Sequence, residues 1–471
     1  MARLIADFHV HSRFARACSK FLTLPNMAAW AAVKGIDLMG TADFTHPVWL
    51  SEIHRDLTEA GEGLYRLKDS VELPFPVADP RPVRFLLTHE VATIWGQGGK
   101  LRRMHTILVA PDLAAADGLT AALEPRGKLG SDGRPVLGMS ARELAEICWS
   151  VDDRILVIPA HAWTPWFAVF GSQSGFDSLE ECFGADLVDR IPAIETGMSS
   201  NPPMNWQLSA LDSVALISCS DGHSLDNLGR EATVFTVAEQ DKLSFDLISK
   251  MIWEGAPKRR QRKLEELRAS LRPDSPRVAR NSSRRASANQ EQAANLPDYL
   301  ESTIEFFPEE GKYHHDGHRA CGVNWTPEER KRHKGICTAC GRPVTVGVLS
   351  RVDDLADRPL GFKPEGAPDF WQIVPIRDIA SSLLSVGKQS KKIDRLYQQL
   401  IATLGPEFQL LLEAPIDRIA KASTDEFAAV VEQMRAGNVT MTAGYDGVYG
   451  KLVLPKQQEA LQHSLFQKEL V

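Results

Sequence analysis

Apolar residues in the first half of this chain come in short runs, and run after run stops at a side chain able to bind a metal or move a proton. Leu4-Ile5-Ala6-Asp7-Phe8-His9-Val10-His11 sets the pattern. Strand side chains alternate faces, which puts Leu4, Ala6, Phe8 and Val10 on one side and Asp7, His9 and His11 on the other. Residues 23–35 then read as a helix: Thr23 caps it, Pro25 fits its first turn and Gly35 stops it. Residues 36–41 form a second strand that leads through Ala42 to Asp43, so the chain opens strand, helix, strand. Residues 83–88 run to His89 and Glu90, and a strand at 105–110 starts on His105. Residues 155–160 run into His161, 191–194 into Glu195, and 215–220 into Asp221 and His223.

Parallel βα-barrels place their chemistry at the C-terminal ends of their strands. One strand ending in His or Asp means little, but this many in series predict a metal centre. Residues 1–256 are therefore expected to form a distorted βα-barrel with fewer than eight strands.

The pattern changes at Pro257. Lys258-Arg259-Arg260-Gln261-Arg262-Lys263 opens a stretch to residue 296 that is rich in Arg, Ser, Ala and Gln and poor in large apolar residues. It reads as a basic, disordered linker, helical at 263–271, either a solvated tether or a source of phosphate contacts. A strand at 299–307 follows. Then His318-x2-Cys321 and Cys337-x2-Cys340, fifteen residues apart, have the paired spacing of a zinc ribbon, with His314 or His315 as alternative fourth ligands. This module spans 297–350. Residues 351–471 read as mainly helical, with helices at 376–386, 393–404, 408–412 and 424–436. Gly444-Tyr445-Asp446-Gly447-Val448-Tyr449-Gly450 reads equally as a turn or as a binding loop.

Composition narrows the class. The 471 residues are 43% hydrophobic and 24% charged with a net charge of −7, as expected of two or three globular domains. Seven scattered cysteines suit a reducing compartment. There is neither a basic-then-apolar leader at Met1 nor an apolar run of membrane-spanning length, so a cytoplasmic protein is expected. The phosphate loop of an NTP-driven motor and the G-x-S-x-G elbow of acyl transfer are both absent from the sequence. So many histidines and carboxylates suit two or three ions, Zn²⁺, Mn²⁺ or Mg²⁺, bridged by Glu90 or Asp221. Paired ions activate water and stabilise both oxygens of an in-line phosphoryl displacement. Phosphoester hydrolysis leads; hydrolysis of C–N bonds competes. Arg102 and Arg103 before His105, and Trp163, Trp166, Phe167 and Phe170 after His161, suit a polymeric anion whose bases stack on aromatic rings, or else wall the pocket.

Asp7-x-His9-x-His11, Thr41-Ala42-Asp43, Glu90, His105, His161 and Asp221-x-His223 resemble the motifs of the polymerase-and-histidinol-phosphatase (PHP) superfamily. Within it the chain is similar to the endonuclease Q family. The stretches Pro159-Ala160-His161-Ala162-Trp163-Thr164-Pro165-Trp166-Phe167, Ser200-Asn201-Pro202-Pro203-Met204-Asn205-Trp206, Leu228-Gly229-Arg230-Glu231-Ala232, Asp316-Gly317-His318-Arg319 and the closing Tyr/Gly segment carry this likeness. The resemblance implies a (β/α)7-type barrel and a DNA-repair endonuclease that cuts 5′ to uracil, hypoxanthine, xanthine or an abasic site. It implies a base extruded from the stack for inspection. His9, His11, Glu90 and Asp221 are then expected to hold one ion, with Glu90 bridging to a second that His105 and His161 complete. Asp43 and His223 serve a third. Asp221, Glu90 and His161 are the expected catalytic residues, and one structural Zn²⁺ sits at His318, Cys321, Cys337 and Cys340. The DNA side is expected to use Arg102, Arg103, Trp163, Trp166, Phe167, Phe170, Arg230, Tyr445 and Tyr449. Expected partners are damaged DNA and, as an open question, a sliding clamp, with the protein itself a monomer. Two departures stand out: Arg16-Ala17-Cys18 lacks a histidine common in the superfamily, and Asp43 replaces another. The third site is then expected to be weaker, or to rely on Asp43 and His223 with Cys18 or His46 nearby. A phosphatase acting on a small phosphoester, or a DNA-binding module without chemistry, are the competing readings.

Overall fold

Ala2–Asp7, the strand that opens the chain, lies in the middle of the molecule with its last four residues buried. Ala232–Val237 pairs with it antiparallel on one side and Leu38–Gly40 parallel on the other. This is a computed structural model, and it describes residues 1–270 and 298–453. Beyond Leu38–Gly40 the long strand Arg84–Gln97 continues the sheet in parallel. Lys100–Ala110 and then Leu156–Pro159 follow, each antiparallel to its predecessor. Ala193–Glu195 and Ala215–Ile217 form a separate parallel pair. Leu4, Ala6, Phe8, Leu38, Leu86, Ile107, Val109, Ile158, Ala193, Ile217 and Phe235 meet in one apolar cluster, so all these strands face a shared core. Helices pack outside, in a second and larger cluster.

The helix Leu24–Lys34 forms as its sequence dictates. Thr23 Oγ1 accepts from Asn26 N, Pro25 sits in the first turn, and Gly35 takes φ +86°, which costs glycine nothing. The expectation of parallel strands throughout is corrected at Lys100–Ala110. Gly98 and Gly99 both have positive φ (61° and 73°), the hairpin geometry that returns a strand antiparallel to its neighbour. His105 consequently lies mid-strand opposite Ala92, not at the strand's start as the sequence suggests. The alternation expected of the first strand is also cut short. Val10 packs in the outer cluster, because the strand ends at Asp7.

Nor is residue 257 the start of a disordered tether. Pro257–Ser270 is a helix, and buried Arg260 donates from Nη1 to Leu300 O at 2.8 Å. Residues 271–296 of the expected linker lie outside the described residues. Tyr299–Glu305 then returns to the main sheet, antiparallel to Ala232–Val237, and Asp369–Gln372 adds a parallel strand beyond it. The C-terminal helices are Ile376–Leu384, Lys391–Leu404, Glu407–Leu412, Ile416–Ala422 and Asp425–Arg435. Ile416–Ala422 is an addition to the sequence reading, a short helix entered from Pro415. The buried Lys34–Glu407 ion pair (2.6 Å) ties this layer to the first helix.

Candidate metal centre

The chain just past the first strand, the middle of Arg84–Gln97 and of Lys100–Ala110, and the loops after Leu156–Pro159 and Ala215–Ile217 converge on one buried point. Two overlapping groups of ligand atoms result, each within 4.8 Å: His9, His11, Glu90 and Asp221, and Glu90, His105 and His161. Glu90 belongs to both. Its Oε1 lies 3.3 Å from His9 Nε2, 2.8 Å from His105 Nδ1 and 3.4 Å from His161 Nε2. Its Oε2 lies 3.3 Å from His11 Nε2. Asp221 Oδ1 approaches His11 Nε2 at 2.9 Å. Buried polar atoms normally find hydrogen bonds, yet among the described residues His9 Nε2, His11 Nδ1, Glu90 Oε1 and Asp43 Oδ1 make none. Imidazoles and carboxylates left open in this way suit divalent ions of the zinc or manganese kind.

Charge is concentrated here. Burial opposes ionisation of His9 and His11, but Glu195, Glu90 and Asp221 hold His9 well above the usual histidine range, and Asp221 and Asp43 raise His11 to about 9. Burial is likewise outweighed at Glu90, which His105, Arg134 and His9 hold well below the carboxylate range. His105 goes the other way, pushed by burial down to about 4 and so neutral, as a ligand must be. Asp43, His161 and Asp221 all have positive φ (42°, 29° and 46°). Strained backbone of this kind clusters where side chains must be aimed.

A second layer aims them. Glu195, which the sequence reading passed over as a mere strand end, receives His9 Nδ1 at 3.0 Å and the His161 backbone N–H at 2.5 Å. His9 thereby presents Nε2 to the centre, as carboxylate–histidine pairs do in metal sites. Thr164 Oγ1 does the same for His161 Nδ1 at 3.0 Å. Asp7 lies outside the centre, accepting from Ser220 N and Gly229 N (3.0 and 2.9 Å), and so braces the loop that carries Asp221. Arg134, also unforeseen, places Nη1 3.0 Å from Glu90 Oε2.

The comparisons with known proteins follow the whole chain. A family model described as the MJ0043 C-terminal domain matches residues 375–438. The uncharacterized protein YqxK of Bacillus subtilis is 24% identical over 96% of this chain and 100% of its own length. The uncharacterized protein MJ0043 of Methanocaldococcus jannaschii is 25% identical over 63% of this chain, which spans only 32% of that protein. The lesion-specific endonuclease PfuEndoQ from Pyrococcus furiosus superposes with a TM-score of 0.75 at 25% identity, covering 97% of this chain and 96% of that one. An endonuclease Q in complex with a 27-mer duplex substrate, an abasic lesion at its active site, gives 0.75 at 26% identity over 97% and 98%. The chain is similar to endonuclease Q over nearly its whole length.

Against this endonuclease Q frame, several expected residues are placed differently. Asp43 and His223 join no metal group among the described residues. Asp43 Oδ2 is taken by the Ser12 N–H (2.8 Å) and hydroxyl (2.6 Å), and His223 Nδ1 faces Asp221 O at 2.8 Å. Cys18 and His46 join no metal group among the described residues either: burial, then Asp43, push the Cys18 thiol up, and His46 Nδ1 accepts from Trp49 N. Trp163 and Phe170 are core, their rings 4.7 Å apart, with Trp163 Nε1 donating to Asn205 Oδ1 at 2.8 Å. Arg102 is buried against Phe176 and paired with Glu181 at 3.1 Å, hence unavailable to DNA. Arg103, the next residue of the strand, faces outward over Phe167. Phe167 itself covers His105 at 4.5 Å. Arg230 donates to Ser220 O at 2.7 Å and so holds the Asp221 loop from behind. Trp166 (37% exposed) meets Tyr313 edge-on, while Lys312 lies over both Tyr313 and Tyr449 (63% exposed). Tyr445 packs on Gly317, where any side chain would collide with its ring.

The second cluster lies on the Asp316–His318/Val323–Trp325 hairpin. His318, Cys321, Cys337 and Cys340 bring ligand atoms within 4.8 Å of one another. His315 is engaged with Asn324 Oδ1 (2.9 Å), and His314 is buried apart, so His318 is the fourth member. Burial opposes the Cys337 thiolate, but the backbone N–H groups of Ala339 and Cys340 bring its pKa down to about 6, a value suited to metal binding.

Proposed function

We propose that this chain is a metal-dependent DNA-repair endonuclease that hydrolyses the phosphodiester 5′ to a deaminated base (uracil, hypoxanthine or xanthine) or an abasic site. What carries the reading is the superposition of 97% of the chain on an endonuclease Q whose active site holds an abasic duplex. The buried His/Glu/Asp groups support hydrolytic chemistry at the corresponding centre. We read the strands around the shared core as the distorted (β/α)7 PHP barrel, followed by a zinc module and a helical domain.

In this reading His9, His11, Glu90 and Asp221 hold one divalent ion, and Glu90, His105 and His161 hold another. Such ions supply an activated water and charge stabilisation for in-line displacement at phosphorus. The protein does the rest. Glu195 and Thr164 fix the rings of His9 and His161, and Arg230 and Asp7 fix the loop of Asp221. Phe167 shields His105 from water. Trp166, Tyr313 and Tyr449, with Lys312 over the two tyrosines, offer rings for an extruded base or its neighbours, each stack worth about 1–3 kcal/mol. His318, Cys321, Cys337 and Cys340 hold a structural zinc.

The test is to incubate the protein and Mn²⁺ or Mg²⁺ with end-labelled duplexes carrying one uracil, one hypoxanthine or one abasic site, beside an undamaged duplex. A nick 5′ to the lesion, absent from the control and abolished by chelation, is expected. Hydrolysis of a generic phosphomonoester without nicking would replace the nuclease reading with a phosphatase.

A further inference from the structure

Among the described residues, Arg134 is the guanidinium paired with a carboxylate of the metal centre, and nothing in the motifs accounts for it. It comes from the loop after the Leu129–Ser131 turn, which is docked firmly. Gly133 N–H donates to Phe14 O at 2.9 Å, and Asp132 Oδ1 accepts from Arg16 N (3.1 Å) and Arg134 N (3.0 Å). A Cβ at Gly133 would collide with the Asp43 carboxylate, so only glycine lets this loop come so close. Just beyond, Pro135 O accepts from Ala92 N, and Val136–Leu137 pairs with the strand that carries Glu90. Backbone contacts on both sides thus fix the point from which Arg134 reaches in.

Its guanidinium spends a single hydrogen bond, Nη1 to Glu90 Oε2 at 3.0 Å. Among the described residues Nε and Nη2 have no protein partner, and the side chain is 24% exposed, so these donors are free for a ligand. It stands on the side of Glu90 that His11 also faces, and its loop abuts the Asp43 carboxylate at Gly133. It brings a permanent, planar cation to the carboxylate shared by both ligand groups. Guanidinium N–H pairs match phosphate oxygens bidentately, a geometry that no ammonium reproduces.

Building on the reading of this site as a phosphodiester hydrolase, we infer that Arg134 is a catalytic residue that binds a non-bridging oxygen of the scissile phosphate through its free Nε and Nη2, serving as the fixed third cation beside two metal ions. The oxygen gains negative charge as displacement proceeds, and a donor already in position stabilises it without reorganisation.

The experiment uses the full chain loaded with Mn²⁺, as wild type, Arg134→Gln and Arg134→Lys. Metal content is measured by plasma mass spectrometry, binding of inorganic phosphate by calorimetry, and single-turnover nicking on an abasic duplex. Arg134→Gln is expected to keep the wild-type metal content while phosphate affinity falls at least about 10-fold and nicking about 10²–10³-fold, the usual cost of one lost oxyanion donor. Arg134→Lys should restore part of the phosphate affinity. Loss of metal from Arg134→Gln, or phosphate binding as tight as wild type, overturns the assignment and leaves Arg134 a counter-charge for Glu90. Should wild type nick no duplex yet bind phosphate in the same Arg134-dependent way, the nuclease reading fails and the phosphate site stands.

Discussion

The molecule holds two clusters of metal-ligating side chains, and they are built on opposite principles. The His/Glu/Asp centre is buried, and its ligands rest on strands whose apolar partners form a large shared core. Among the described residues, the His318/Cys321/Cys337/Cys340 cluster has around it Val323, Trp325, Val344 and Cys337 itself as a small buried apolar group. The first exists because the fold holds it open; in the second, too little apolar surface is gathered to hold anything. An ion removed from the first should cost activity, and from the second structure.

The sharpest way to break that contrast is Cys337→Ser. Structural zinc contributes about 10–16 kcal/mol to folding zinc-finger peptides, so the hairpin segment should become open to proteolysis while the strand core melts as before. Limited proteolysis followed by mass mapping reads this directly, and an intact hairpin would refute the contrast. Asp221→Asn should behave oppositely. Nicking should fall by at least about 10³-fold, more than the ~10–100-fold cost of an outer partner, with the melting temperature of the metal-stripped protein little changed. Glu195→Gln comes next. His9 loses its orienting carboxylate, and metal affinity should weaken about 10–100-fold, as competition against a chelator dye would show.

The smallest effect concerns pH. His11, with its pKa raised to about 9 in the fold, stabilises the metal-stripped protein fully below its unfolded value of about 6.5. That contribution is lost as pH rises through about 9, so melts of stripped protein should show falling stability between those values. Loaded protein should not follow, because the ion replaces the proton, and metal affinity should climb with pH over the same window. A stripped protein insensitive to pH there would mean that His11 is not charged in the fold.

The grouping of His9, His11, Glu90, His105, His161 and Asp221 was legible because metal chemistry demands particular side chains at strand ends, and those are written locally. The ribbon spacing and the Thr23/Gly35 helix ends are local in the same sense. Trp163 and Phe170 misled because an aromatic run looks the same whether it faces a base or Asn205, a partner some forty residues on. Arg102 and Arg103 differ only in strand phase, which the Gly98-Gly99 hairpin sets. Glu195 was visible as a strand end, but its role became plain only when folding laid it against His9. Arg134 had no signal at all: a lone arginine in a polar loop.

The strand Tyr299–Glu305 has a consequence for how this protein is made. It covers the edge of Ala232–Val237, and Glu305 Oε2 receives Thr196 Oγ1 (2.8 Å) and Ser218 Oγ (3.0 Å) beneath the metal centre. Until residue 305 has left the ribosome, the nascent chain therefore carries an unpaired strand edge, the kind that recruits other chains. A gene cut at residue 256 would freeze the protein in that state. Expression of the first half alone is expected to yield aggregate, and co-expression of the second half to rescue it.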